Sequence, residues 1–168
     1  KGGFLAVKKA AVEQKRRIKH ILKAEPNVSG LYKYQFFIVL KLFSELPWRN
    51  GFADLQVQET DTGNYIEVPK KGHVVFHMRQ YKNSKQLGER ALTLGRANTI
   101  ALKKFLRYRE KVVNHKYLLS TRSGRRMTRA TLGKALHKVT KTLLGGSGFG
   151  SRLIRVLAAT ENKAEIDK

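Results

Sequence analysis

Cysteine is absent from this sequence of 168 residues, so neither a disulfide frame nor a thiolate nucleophile is available to it. Acidic residues are scarce. Twelve Asp and Glu stand against 35 Lys and Arg, a formal charge of +23 that exceeds anything solubility requires. Such a chain repels itself unless a polyanion neutralises it, and nucleic acid is the first partner to consider. An acidic membrane surface is the rival. It ranks lower because the basic residues are spread through every segment and no basic amphipathic helix stands apart from the core pattern. No apolar run approaches the ~20 residues of a membrane span, and no signal peptide opens the chain, so a soluble protein without membrane partners is expected. His20, His73, His77, His115 and His137 lack ligand spacing, which leaves no metal site to expect. What is present is 41% apolar residues, enough for one cored domain.

Taken in order, Phe4 to Ala24 predicts a basic amphipathic helix, with Phe4, Leu5, Val7, Ala11, Val12, Ile18, Ile21 and Leu22 near helical spacing. Glu25, Pro26 and Asn27 end it. A second helix, roughly Leu31 to Leu46, is apolar enough to cross the core, and Pro47 stops it. Arg49 then sits at a turn, ahead of a strand or short helix carrying Leu55 and Val57. Residues 65–68, 74–78 and 91–94 are β-prone runs between turn-forming stretches and predict three antiparallel strands. Lys82 falls near the tip of the last hairpin, together with Lys85. Ala97 to Val113 predicts a helix with Ile100, Ala101, Lys104, Phe105, Tyr108 and Val112 on repeating turns. A basic loop, 121–126, precedes a helix started by Thr128 with Leu132, Leu136, Val139 and Leu143 as its stripe. Arg122, Arg125, Arg126, Arg129, Lys134, Lys138 and Lys141 would then form a basic strip suited to a DNA backbone. Solvation alone is the plainer explanation of such a face.

A glycine-rich turn, 145–150, leads into Arg152, Leu153, Ile154, Arg155, Val156 and Leu157, which read as a buried helix. Arg152 and Arg155 share a helical face near its start, where backbone N–H groups already favour an anion. Buried guanidinium groups need pairing, either by a carboxylate of the chain or by a phosphate, which their planar forks suit.

The order of these parts resembles the catalytic domain of tyrosine recombinases, the phage-type integrases. The resemblance rests on Arg49 after Leu46, Pro47 and Trp48; on Tyr81, Lys82, Asn83, Ser84 and Lys85 in a hairpin before Gly88 and Glu89; on Tyr117 to Ser120; on Met127, Thr128 and Leu132 to Leu136; and on Arg155 after Gly148, Phe149 and Gly150. It spans about Tyr32 to Thr160. It implies an α+β fold, mainly helical with a small three-stranded antiparallel sheet. It implies duplex DNA as partner, no cofactor, and a tetramer on DNA as the assembly to test for. In the family two arginines and a hairpin lysine surround a scissile phosphate, here Arg49, Lys82 and Arg155. A tyrosine attacks phosphorus, the arginines stabilise the growing charge, and the lysine protonates the leaving 5′-oxygen. Residues 30–168 would be that domain and residues 1–29 a basic N-terminal helix or linker.

Two departures accompany the resemblance. Where the family has His-x-x-Arg, this chain has Arg152 and Arg155, and an arginine holds phosphate but accepts no proton. The family's tyrosine lies some tens of residues past the second arginine, whereas no tyrosine follows Arg155 here. The expectation is a domain incomplete at its C-terminus, cut before its nucleophile. Type IB topoisomerases share the chemistry. The alternative class is a non-catalytic DNA- or RNA-binding protein, either a degenerate recombinase or a ribosomal-type component.

Overall fold

The computed structural model describes residues 2–43, 45–46, 50–79 and 88–145. Among the described residues four helices carry the core: α1 (Gly2–Ile18), α2 (Val28–Leu42), α3 (Arg96–Glu110) and α4 (Arg129–Leu144). A three-stranded antiparallel sheet, β1 (Tyr65–Glu67), β2 (Val75–Met78) and β3 (Arg90–Thr93), lies between α2 and α3 in the chain and is ordered β1-β2-β3. Two 3-10 turns, Ile21–Lys23 and Asn50–Asp54, accompany them among the described residues. The fold is the mixed α+β, mainly helical one expected.

α2 is the central element. Asn27 caps it by accepting the Gly30 N–H at 2.8 Å, and Leu31, Tyr34, Phe36, Phe37, Ile38, Val39, Leu40 and Leu42 are buried around its circumference. α1 and α3 pack against it. α1 buries Val7, Ala10, Ala11, Gln14 and Ile18, a stripe at three- and four-residue spacing. The expected helix to Ala24 ends earlier, at Ile18, and Leu5, Val12 and Leu22 are exposed rather than inward. Leu5 and Val12 fall off the buried stripe, and Leu22 lies past the helix in the Ile21–Lys23 turn.

The strands fall within a residue of the expected runs, with Phe76 opposite Ile66 on one side and Leu92 on the other. α3 differs more. Its inward face is Leu102, Phe105, Tyr108 and Arg109, while Ile100 and Lys104 are exposed. Arg109 turns inward because the carbonyls of His115 and Tyr117 satisfy its guanidinium, so the helix rotates to suit a polar anchor.

Candidate nucleic-acid interface

The segment 115–126 carries the basic loop and is held from three directions. The Gln35 side chain donates to the Ser120 carbonyl at 2.8 Å and accepts the Ser120 N–H at 2.9 Å, acting as a strand neighbour inside the core. Val57 N–H donates to Lys116 and Leu118 N–H donates to Leu55, so the chain after Asn50–Asp54 runs alongside. Leu118, Leu119 and Met127 are fully buried beneath it. Thr121 and Arg125 then close a turn in which Gly124 takes φ +83°, a conformation that side-chain-bearing residues rarely adopt. The turn projects its arginines because its stem is anchored so tightly.

A buried polar cluster stands behind this stem. Arg109 is 5% exposed and donates to the His115 and Tyr117 carbonyls, with no carboxylate partner among the described residues. Burial pushes its pKa down. His115 Nε2 lies 2.7 Å from Ser120 Oγ, and its Nδ1 accepts the Tyr117 N–H at 3.2 Å, the pattern of a neutral ring protonated on Nε2. Burial, then the charges of Arg109 and Arg126, push its pKa below the usual histidine value.

Of the basic strip, Arg126 and Arg129 meet on one carboxylate. Arg126 donates to Asp54 Oδ1 at 3.2 Å and Arg129 Nε donates to Asp54 Oδ2. Arg126 also lies 3.8 Å over the Tyr117 ring. Asp54 closes the Asn50–Asp54 turn, which packs against α4 and follows Arg49 directly in the sequence. Arg122 sits elsewhere, 4.8 Å over the Tyr32 ring of α2. Arg125 is exposed on the turn, and Lys134, Lys138 and Lys141 are exposed on α4, whose Thr128 cap accepts the Thr131 N–H as expected. One carboxylate thus gathers two of the seven, and the other five remain open to solvent.

Arg49, Lys82, Lys85, Arg152 and Arg155 lie outside the described residues, as does the glycine-rich turn beyond Gly145 with its following helix. The strands flanking Lys82 and Lys85 in the chain are described. At their base Arg79 donates to Glu89 at 2.9 Å and to the Thr60 carbonyl, and its N–H donates to Asn64 at 2.8 Å. Among the described residues no three His, Asp or Glu gather as a metal site, and no helix is long and apolar enough to cross a membrane. Sequence reasoning missed Asp54, since nothing local marks one carboxylate out of twelve as the partner of arginines 72 and 75 residues away.

No protein-family model matches the sequence, and no curated protein matches it. Among solved structures the chain is similar to XerH site-specific recombinase in a pre-cleavage complex bound to its difH substrate. The TM-score is 0.63 at 17% identity, covering 96% of this chain and 42% of that one. It is similar also to XerA recombinase, with a TM-score of 0.59 at 14% identity, covering 91% of this chain and 49% of that one. The chain therefore spans less than half the length of either. At such identity the likeness is one of fold, and the fold of this chain is recombinase-like.

Proposed function

We propose that this chain is part of a DNA breaking-and-rejoining enzyme, a tyrosine recombinase or integrase of a mobile element or virus, within which residues 30–168 belong to the catalytic domain. The observation that carries the reading is the fold likeness to a recombinase in its pre-cleavage complex, which extends over 96% of the chain. The excess of 35 basic over 12 acidic residues supports duplex DNA as the partner. In this reading Arg49, Arg152 and Arg155 bind the scissile phosphate and offset the charge that grows on its non-bridging oxygens. A tyrosine oxygen bonds to phosphorus, the bond to the 5′-oxygen breaks, and Lys82 gives that oxygen its proton. The 3′-phosphotyrosyl link conserves the bond energy, so rejoining requires no ATP. Lys85, Arg122, Arg125, Arg126, Arg129, Lys134, Lys138 and Lys141 hold the DNA backbone, and synapsis of two sites calls for a homotetramer.

The tyrosine of this reaction is assigned to a segment outside residues 1–168. Among the described residues Tyr34, Tyr65 and Tyr108 are buried, Tyr32 lies beneath Arg122, and Tyr117 lies beneath Arg126, while Tyr81 lies outside them. That placement favours a second reading for residues 1–168 by themselves: a module that binds nucleic acid without cutting it. Covalent capture on nicked duplex DNA, with the protein as it occurs in its source, separates the two. Trapped protein that disappears in Arg49→Ala, Lys82→Ala and Arg155→Ala, with most duplex affinity retained, supports the recombinase. Cleavage that survives all three substitutions refutes it, and binding with no trapped protein supports the second reading.

A further inference from the structure

α1, α2, α4 and the 121–125 turn enclose a half-open notch of about 180 Å³. Arg17 of α1, Arg122 of the turn and Lys138 of α4 line it, together with the Tyr32 ring and Gln14. No carboxylate lines it. Glu13 lies one turn of α1 back from Arg17 and accepts the Arg17 Nε at 3.1 Å. The two Nη groups of Arg17 make no hydrogen bond among the described residues, and neither Arg122 nor Lys138 has an ion pair there.

From this geometry we infer that the notch is a phosphate-binding subsite, occupied by a backbone phosphate of the DNA. It rests on the functional reading above for its DNA source, though not for its phosphate chemistry. Three cations converge on a space that suits a phosphate group, and two present guanidinium forks that match phosphate oxygens. Preorganisation is built in. Tyr32 holds Arg122 by its ring, Glu13 holds Arg17 by Nε, and the Gln14 amide is fixed by donating to the Lys33 carbonyl at 2.8 Å. Unlike the Arg126–Asp54–Arg129 cluster, whose two arginines share a carboxylate, this notch has no carboxylate among its lining residues to displace. It also makes α1 a working part of the interface, where sequence reading placed a helix or linker.

A second cavity, lined by Lys104, Arg107 and Glu110 of α3, by Lys111 just past it and by Tyr34, supplies a control with three cations and a carboxylate. Tyr32 and Tyr34 are two residues apart on α2, so they face opposite sides of it. The test compares the full chain with Arg17→Gln/Arg122→Gln/Lys138→Gln and with Lys104→Gln/Arg107→Gln/Lys111→Gln. Duplex affinity is measured across a salt series, and NMR of the arginine Nε–H groups follows titration with inorganic tripolyphosphate. The inference expects the first triple variant to lower the slope of log K against log salt by about 2 to 3, the second to change it little, and tripolyphosphate to shift the Arg122 signal. Equal slope losses in both variants with no shift at Arg122 overturn it, while leaving DNA binding itself intact. A shift at Arg122 with an unchanged duplex slope supports the phosphate site and reassigns its source to a free polyphosphate. If the unaltered chain fails to bind duplex yet shows the shift, the functional reading fails and the phosphate site stands.

Discussion

The Glu45 carboxylate accepts the Gly95 backbone N–H with both oxygens, each at 2.9 Å, across 50 residues of sequence. It also accepts the Asn98 amide at 2.8 Å. Gly95 is the N-cap residue of α3 and has no side chain with which to cap it; the Glu45 carboxylate, just past the end of α2, instead ties down the Gly95 N–H and the Asn98 side chain and complements the helix dipole. Glu45→Ala is expected to cost about 1 kcal/mol, a fall in Tm of about 2–4 °C at this chain length. Glu45→Gln should recover part of it, since an amide oxygen still accepts but carries no charge. Thermal unfolding monitored by circular dichroism reads both.

Acid should loosen the stem of the basic loop through His115. Its native pKa lies below the unfolded value of about 6.5, so the unfolded chain binds the proton more readily. The stability that the neutral ring contributes is complete above about pH 6.5 and is lost as pH falls from there toward the lowered native value. Protonation puts a proton on Nδ1, which accepts the Tyr117 N–H, and adds a charge beside Arg109. Urea midpoints at pH 7.5 and pH 5 should differ less in His115→Gln than in the parent. An equal difference in both would exclude His115 as the source. Glu13, which Arg16 and Arg17 hold at about 2, loses its contribution only as pH falls below the ordinary carboxylate range, and so stays outside this window.

Gly30 of α2 faces Tyr108 of α3 at close range. A Cβ there would stand 2.1 Å from the Tyr108 hydroxyl and 2.8 Å from Ile21 Cγ2. Alanine gains up to about 1 kcal/mol in helix propensity, but overpacking costs about 1–3 kcal/mol, so Gly30→Ala should destabilise. Tyr108→Phe removes the clashing oxygen and should partly rescue it. A double-mutant cycle in urea would show the coupling, and additive effects would argue against the contact.

Asp54 restrains two arginines of the proposed interface, both well exposed. Asp54→Asn removes one anion and releases Arg126 and Arg129 for phosphates. Duplex affinity should rise, and the slope of log K against log salt should steepen by about 1 or more. Stability should change by no more than about 1 kcal/mol, as befits surface ion pairs. A variant with unchanged salt dependence would place Arg126 and Arg129 outside the DNA contact.

What the sequence determined by itself was the local order. Helix periodicity, the Thr128 cap and the turn chemistry around Gly63 and Gly72 act within a few residues, so the three strands and the helix beginning at Arg129 were legible to within about a residue. So was the charge, which is a sum that no fold can change. The inward face of α3 was less legible, because Arg109 is buried by carbonyls of the segment that follows and no apolar pattern announces a polar anchor. The interface needed the tertiary structure. Asp54 meets Arg126 and Arg129, Gln35 grips Ser120, and α1 brings Arg17 to Arg122 and Lys138 only when distant segments are packed together. Such partners are selected by close packing and by the need to satisfy every buried polar group. Both are properties of the assembled core, and no window of neighbouring residues contains them.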